Sequence, residues 1–172
     1  MKTQTKKTRS LCLAVIGLVG LGAGLTRAEW KNIAEQDNEA LPGDQIQFIK
    51  ESKGVVWIGG MEGLTRHKDG TFTAVTEIVE KKKRGEVEKT ERPISAKTWD
   101  ILGLGDDRWL LGHSGGISLI EGTTVKNHEM KGYTAAPVVQ GRNGIIWTLG
   151  KKEQDKQQIT NIMQRGENGE WT

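Results

Sequence analysis

Histidines, carboxylates and a lysine are the side chains of this sequence whose chemistry could serve a functional site. The histidines are His67, His113 and His128. They show no spacing typical of metal ligands, and no acidic residue lies at a recognisable offset from any of them. We therefore expect these histidines at the surface, and we predict no metal, no cofactor and no catalytic residue.

Three glycine-bounded segments hold the candidates for ligand binding. They read "GGMEG", "GHSGG" and "GKKEQDKQQ", and each directly follows a stretch that contains a tryptophan. If these segments are equivalent loops, their polar side chains would line one surface, and we predict Glu62, His113 and Lys151 as binding residues. Asp106 and Asp107 lie in or beside a turn, where acidic residues are common without any functional role.

The elements that would position these loops come from an internal repeat. Three tryptophans each stand three residues before a glycine, and each of the three prolines precedes an apolar stretch that leads to one of these tryptophans. Short apolar segments alternate with glycine- and aspartate-rich turns. This pattern predicts four short antiparallel strands per unit at intervals of about 40 to 50 residues, which is typical of propeller blades. The pairs are Trp57 with Gly60, Trp109 with Gly112 and Trp147 with Gly150, and the prolines are Pro42, Pro93 and Pro137.

The predicted fold class is therefore all-β and propeller-like, with blade-type units at approximately residues 29–73, 93–128 and 137–172. In such a fold each tryptophan would be buried between sheets, and the glycines would permit sharp turns and close approach. A sandwich with unrelated buried tryptophans is the alternative, and only residues 75–84 have any helical character. Because propellers have about four to eight blades, three units indicate a fragment, an open arc or a ring of several chains. Open blade edges would favour self-association.

The first 28 residues have the composition of a signal peptide. A basic start precedes an uncharged apolar run over residues 11–25, and Thr26 and Ala28 supply the small residues of a cleavage site. The alternative, a membrane anchor, would need about 20 apolar residues. We expect a periplasmic or extracellular protein with no stable membrane span. Its mature part has no cysteine, because Cys12 lies in the leader.

Removing the leader also removes the basic excess. Residues 1–28 hold five of the 25 basic residues and none of the 22 acidic ones, so the remainder carries 20 basic against 22 acidic residues. A nucleic-acid surface needs clustered basic charge, and we predict no nucleic-acid partner. The one basic run, residues 81–84, lies among glutamates, and we interpret it as a solvated loop.

The first unit resembles a known repeat. Leu41-Pro42, Trp57, Gly59, Gly63-Leu64 and Phe72 match the pattern of the two-component-regulator type of β-propeller repeat, strongest over residues 29–73 and weaker in the next two units. The resemblance implies a blade of a periplasmic sensor domain of a membrane-bound regulator. No kinase segment accompanies it, so signalling itself is not implied.

The sequence thus favours an exported, non-catalytic recognition or scaffold module, either complete or as the sensor part of a larger protein. Its ligand would be a carbohydrate or another protein. The alternative is a secreted glycan-active or lyase-type enzyme whose catalytic residues lie in further blades. A pair of acids, or a histidine–acid pair, meeting on one face would distinguish the enzyme from the binding module.

Overall fold

A computed structural model describes residues 38–83 and 86–172. These residues form 13 β-strands, which are arranged in three sheets, and they contain no helix. The all-β prediction is confirmed for this part of the chain. The predicted signal peptide and the first residues of the first unit lie outside the described residues.

The first sheet contains four antiparallel strands in sequential order, as the repeat predicted. Tight turns join its strands at Lys53-Gly54 and Asp69-Gly70, and all four of these residues have positive φ. Aspartate and glycine tolerate this conformation, which matches the twist of the flanking strands. The strands are β1 (Ile46–Ser52), β2 (Val55–Gly60), β3 (Leu64–Lys68) and β4 (Thr71–Ala74).

The second sheet has six strands, because a hairpin is added to a four-stranded unit. The added hairpin joins the outermost strand of the unit through a parallel pairing of Thr76 with Thr124. In the order of the sheet, the strands are β6 (Glu86–Pro93), β5 (Thr76–Lys83), β10 (Thr124–Glu129), β9 (Gly116–Glu121), β8 (Arg108–His113) and β7 (Thr98–Gly105).

This hairpin corrects two expectations from the sequence. Residues 76–83 form a strand and not a helix, and the basic residues 81–83 belong to that strand and not to a loop. The reason lies in the pairing, since β5 and β6 set opposite charges directly across from each other. Glu80 meets Lys89 at 2.9 Å and Glu77 meets Arg92 at 2.9 Å. Such cross-strand pairs stabilise a hairpin whose residues are largely exposed.

The third sheet is formed by β11 (Thr134–Gln140), β12 (Ile146–Gln154) and β13 (Gln157–Arg165). The segment "EWT", predicted to begin a fourth strand, forms an isolated antiparallel bridge between Arg165 and Trp171. Reciprocal backbone hydrogen bonds between Gln164 and Thr172, at 2.8 and 3.0 Å, extend this pairing.

Two apolar clusters hold the three sheets face to face. The first joins the first sheet to the second and includes Trp57, Leu64, Trp109 and Ile120. The second joins the second sheet to the third and includes Leu110, Ala135, Val138 and Ile146. The second sheet is therefore covered on both faces. The three sheets do not close into a ring within the described residues.

The tryptophan repeat is shifted by one residue in the second unit. Side chains alternate between the faces of a strand, and Trp109 faces back to the first sheet, whereas Trp57 faces forward to the second. The forward-facing position in β8 belongs to Leu110. A side-chain carbon at Gly59 would lie 2.6 Å from Thr98 Oγ1 of the second sheet. A side-chain carbon at Gly112 would likewise press against the third sheet. Gly112 is therefore the structural counterpart of Gly59, whereas the tryptophan spacing aligned it with Gly60.

Candidate functional site

Four polar side chains converge on the face of the second sheet that is turned toward the first. They are His113 at the end of β8, Ser118 in β9, His128 in β10 and Glu77 in the added hairpin. Ser118 lies directly opposite His128 in the pairing of β9 with β10. Because directly paired residues project to the same face, the strand register alone brings these two side chains together.

The hydrogen bonds of this cluster run in one direction. The Gly115 backbone N–H donates to His113 Nδ1 at 3.0 Å, which assigns the proton of the neutral ring to Nε2. That nitrogen donates to Ser118 Oγ at 2.8 Å. The other contact of Ser118 Oγ is with His128 Nδ1 at 2.9 Å, and we assign the hydroxyl as its donor because the oxygen already accepts from His113. His128 Nε2 then faces Glu77 Oε2 at 3.6 Å, an ion-pair distance that is too long for a hydrogen bond.

Glu77 connects this chain of side chains to the hairpin. Its Oε1 accepts hydrogen bonds from Arg92 Nε at 3.1 Å and Arg92 Nη2 at 2.9 Å. Arg92 lies directly opposite Glu77 in the pairing of β5 with β6. The carboxylate therefore contacts the hairpin on one side and His128 of the four-stranded unit on the other. We call these residues, from His113 through Ser118 and His128 to Glu77, the histidine relay.

Burial sets the protonation state at the inner end of the relay. His113 is 5% exposed. Desolvation, followed by the nearby His128, lowers the pKa of His113 to about 4, although Glu77 acts in the opposite direction. His113 is therefore neutral at pH 7, as the hydrogen bond accepted by its Nδ1 requires. This buried, neutral ring can hold Ser118 in place and can respond to acid.

The relay contains the three chemical groups of a hydrolase triad, but its hydroxyl is covered. An acid, an imidazole and a serine in sequence can activate the serine as a nucleophile. Ser118 has no exposed surface. A substrate carbonyl must reach the hydroxyl oxygen before any attack can occur, and Ser118 offers no such access in this structure.

Sequence reasoning missed the relay and placed its histidines at the surface. That prediction is wrong for His113, which is buried, while His128 is half-buried and has Glu77 as an acidic partner. The third histidine, His67, stands apart and stacks on Phe72 with ring centroids 4.3 Å apart. A weak signal was present in "HSGGIS", because a two-residue turn after His113 places Ser118 on the same face.

The predicted binding residues lie at, or just beyond, the matching point of β2, β8 and β12. Glu62 is exposed in the turn after β2, and His113 ends β8 in the buried relay. Lys151 is exposed but lies within β12, which continues to Gln154, so the predicted third loop is a longer hairpin. Among the described contacts, none joins two of these three side chains.

Two further polar contacts tie the sheets together. Glu129, whose side chain is 4% exposed, binds Arg165 at 2.8 and 3.0 Å and accepts a bond from Trp171 Nε1 at 2.7 Å. This hydrogen bonding to Glu129 raises the pKa of Arg165. Asp100 Oδ1 binds Lys50 at 3.0 Å, and its Oδ2 accepts the Val138 N–H at 3.0 Å. One carboxylate thus links β1, β7 and β11, which are strands of three different sheets.

Residues 38–83 and 86–172 contain neither a metal-binding cluster nor a membrane-spanning helix. Nowhere in these ranges do three histidine, cysteine, aspartate or glutamate side chains gather closely enough to hold a metal ion. The same ranges contain no helix long and apolar enough to cross a membrane.

Comparison with known protein families, curated proteins and solved structures found no match for this chain.

Proposed function

We propose that this protein is an exported, non-catalytic recognition or scaffold module of the β-propeller type. The observation that carries this proposal is the complete burial of Ser118 within the histidine relay. The only acid–imidazole–hydroxyl series in the described residues is closed to substrate and contacts the hairpin, so a structural role fits it better than catalysis.

The propeller part of the proposal is supported by the packing of the sheets. Sequential antiparallel strands build each unit, and successive units pack face to face through apolar clusters. Carboxylates such as Asp100 cross from sheet to sheet near their first strands. The resemblance of residues 29–73 to two-component-regulator repeats agrees with this arrangement and favours a sensor role.

The recognition surface that we propose lies at the ends of the second strands. The turn that holds Glu62, the exposed turn residues Ser114 and Gly115, and the part of the β12–β13 hairpin that extends from Lys151 to its tip occupy this end of the three sheets. Exposed charges of both signs, from Glu62 and Lys151, lie there beside the exposed Ser114. Such a surface suits a polar ligand, and a carbohydrate or a polar protein surface are the classes that it would bind.

Binding by two sets of charge-removing variants tests this surface. One set lies at the proposed surface, and the other lies at the opposite end of β8 and β12. The protein is first screened against a glycan array and a set of purified cell-envelope polysaccharides. The variants Glu62→Gln and Lys151→Gln are then compared with Asp106→Asn and Arg142→Gln, which remove exposed charges before the second strands. We expect the first pair to weaken binding at least about tenfold and the second pair to leave it unchanged. Equal losses in both pairs, or no binding in the screen or to candidate partner proteins, contradict the proposal.

Export is tested separately from binding. The full chain, with its own residues 1–28, is expressed in a Gram-negative host, and the mature amino terminus is sequenced. We expect cleavage after Ala28 and recovery of the protein from the periplasm. Recovery of the uncleaved chain from the cytoplasm would show that the export prediction is wrong.

A hydrolase is the second candidate, and the order of Glu77, His128 and Ser118 is the observation that favours it. If an opening motion exposed Ser118, His128 could take its proton while Glu77 stabilised the charged ring. Hydrolysis of chromogenic esters separates the two functions. Turnover that disappears in Ser118→Ala supports the enzyme, whereas no turnover in the unmodified protein supports the binding module.

A further inference from the structure

Two lysine side chains each lie over an aromatic ring. Lys97 Nζ is 4.1 Å from the centre of the Trp99 ring, and Lys152 Nζ is 5.3 Å from the centre of the Tyr133 ring. All four residues are half-buried. The face of an aromatic ring attracts a cation, so each ring restrains one ammonium group near a fixed position.

A bulge in β7 keeps Trp99 out of the packing between sheets. The register of β7 against β8 shifts between Thr98 and Asp100, so Trp99 is an extra residue with no partner on β8. Extra residues of this kind redirect their side chains. Trp99 accordingly belongs to neither apolar cluster, whereas Trp57 and Trp109 belong to the first. The Trp99 ring therefore contacts a lysine instead of a neighbouring sheet.

The two lysine–aromatic pairs flank the Ser114 turn of the proposed recognition surface. The Ser114 N–H donates to the Lys97 carbonyl oxygen at 2.9 Å. The Ser114 carbonyl oxygen lies 3.4 Å from Thr134 Oγ1. Thr134 follows Tyr133 and pairs with Lys151 of β12. These contacts join the two pairs into one region, although the pairs belong to adjacent sheets.

Four lysines of this region have no carboxylate partner among residues 38–83 and 86–172. They are Lys97, Lys131, Lys151 and Lys152. Lys131 adjoins the region because the Met130 carbonyl oxygen lies close to Gly116, just after the turn that follows β8. The buried Glu129 has an ion pair of its own. The exposed Glu153 lies one residue nearer the hairpin tip, so the region keeps a positive excess.

The turn that holds Glu62 borders the same region. Thr98, which follows Lys97, has its Oγ1 3.2 Å from the Gly60 carbonyl oxygen and 3.0 Å from that of Gly63. These two glycines flank the Glu62 turn. An exposed carboxylate can accept hydrogen bonds from the hydroxyl groups of a sugar, and an ammonium group can bind its acidic groups. The recognition surface thus combines acceptors for hydroxyl groups with donors for anions.

We propose that this region binds an acidic polysaccharide, with carboxylates of the sugar chain at Lys97 and Lys152. The inference rests on the recognition function proposed above and names the class of its ligand. The two ammonium groups belong to different sheets, so a polymer with repeated charges can contact both at once. An acidic polypeptide would offer few hydroxyl groups to Glu62 and would be repelled by its charge, so the polysaccharide is the better match.

Pairs of polymers that differ only in charge test the ligand class. The purified protein is titrated with polygalacturonate, alginate and hyaluronate, and with the methyl ester of each, which keeps the sugar chain and removes the charge. We expect at least one acid form to bind at least about tenfold more tightly than its ester, and its binding to weaken with added salt. Equal binding of acid and ester overturns this inference and leaves the recognition function standing. Failure of every acid form to bind also overturns it.

Lysine variants test the location of the site. Lys97→Gln and Lys152→Gln should each weaken binding of the acid form at least about tenfold. Lys68→Gln is the matched control, since it removes an exposed lysine at the opposite end of the first sheet and should leave binding unchanged. An equal loss in all three variants would show a general effect of net charge and would overturn the site.

Ring variants test the positioning of the ammonium groups. Tyr133→Leu removes the ring and keeps every charge, so we expect binding to weaken about fivefold. Phe72→Leu is the control, because it removes a half-buried ring from β4 and should leave binding unchanged. Urea unfolding verifies that both variants fold. Unchanged binding in Tyr133→Leu would overturn the positioning of Lys152 by the ring.

Two competitors identify other ligands. Polyglutamate carries carboxylates without sugar hydroxyl groups, and we expect it to bind more weakly than the best polysaccharide. Equally tight binding with the same dependence on Lys97 and Lys152 overturns the polysaccharide in favour of an acidic protein. Displacement of the polymer by inorganic phosphate at an equal concentration of charge would overturn the extended contact in favour of a small-anion site.

Discussion

Trp57 and Trp109 pack edge to face, with ring centroids 5.0 Å apart and ring planes at 61°. They belong to different sheets, so this pair is the centre of the contact between the first and second units. Both rings are buried, at 0% and 3% exposure. Aromatic pairs of this geometry add to the stabilisation that comes from burial alone.

Removing Trp57 should therefore destabilise the protein much more than removing Trp147. We expect Trp57→Ala to lower the free energy of unfolding by about 3–5 kcal/mol, because it leaves a large cavity between two sheets. Trp147→Ala removes a half-buried ring from the face of the third sheet that is turned away from the second, and it should have a smaller effect. Urea unfolding of the two variants and the unmodified protein measures both values. A larger loss for Trp147→Ala would contradict the described packing.

His113 should make the protein sensitive to acid. Its pKa is about 4 in the folded chain against an ordinary 6.5. Between these pH values the unfolded chain binds a proton at this residue and the folded chain does not, so stability falls as the pH falls. Above pH 6.5 His113 is neutral in both states and costs no stability. By pH 4 the free energy of unfolding is lower by about 3 kcal/mol.

The acid sensitivity is measured by urea unfolding at several pH values. His113→Asn removes the titrating ring and should flatten the profile between pH 6.5 and pH 4. His67→Asn is the matched control, since His67 lies outside the relay, and it should keep the slope. An unchanged slope in His113→Asn would show that other groups cause the acid sensitivity.

Glu77 should hold the added hairpin against the four-stranded unit. Glu77→Gln keeps the shape of the side chain but removes the charge that contacts both Arg92 and His128. Because Arg92 is half-exposed, we expect a loss of about 1 kcal/mol. Hydrogen exchange of the β5 and β6 amides should then accelerate about fivefold. Glu80→Gln, which disrupts the exposed pair with Lys89, should change exchange little, and equal acceleration would argue against a special role for Glu77.

Gly112 should be intolerant of any side chain. A Cβ atom there would meet the Ala135 carbonyl oxygen and approach Val138 Cγ2 to 3.1 Å. Since a backbone carbonyl cannot move aside without separating the sheets, we expect Gly112→Ala to cost more than about 2 kcal/mol. Gly54→Ala is the control, because that position has open space and only its φ of 76° is strained. Its cost should be about 1 kcal/mol. Thermal unfolding that ranks Gly54→Ala as the more damaging change would contradict the close approach of the sheets.

Local sequence patterns were sufficient to predict the strands of the first unit, because turns such as Lys53-Gly54 and Asp69-Gly70 mark where hairpins reverse. They were not sufficient to predict the face on which each tryptophan lies. The face depends on strand register, and a shift of one residue reverses it. In the second unit, the sequence spacing aligned Trp109 with Trp57, whereas packing against the third sheet places Leu110 in that position.

The histidine relay could not be predicted for a related reason. His113 and Ser118 lie on adjacent strands of one hairpin, so their contact follows from the turn between them. Glu77 is 51 residues from His128, and its contact depends on how the added hairpin joins β10. The charged residues 81–83 concealed that hairpin, since their composition is that of a loop. Pairing with β6 overrides this local preference.

Labelling of Ser118 tests the central claim most directly. The intact protein is incubated at pH 7 with a fluorophosphonate probe, which reacts with activated serine hydroxyls, and the product is analysed by mass spectrometry. A non-catalytic module with a buried relay predicts an unlabelled protein that still binds in the glycan or protein screen. Stoichiometric labelling that is lost in Ser118→Ala would show an accessible nucleophile and would contradict the account.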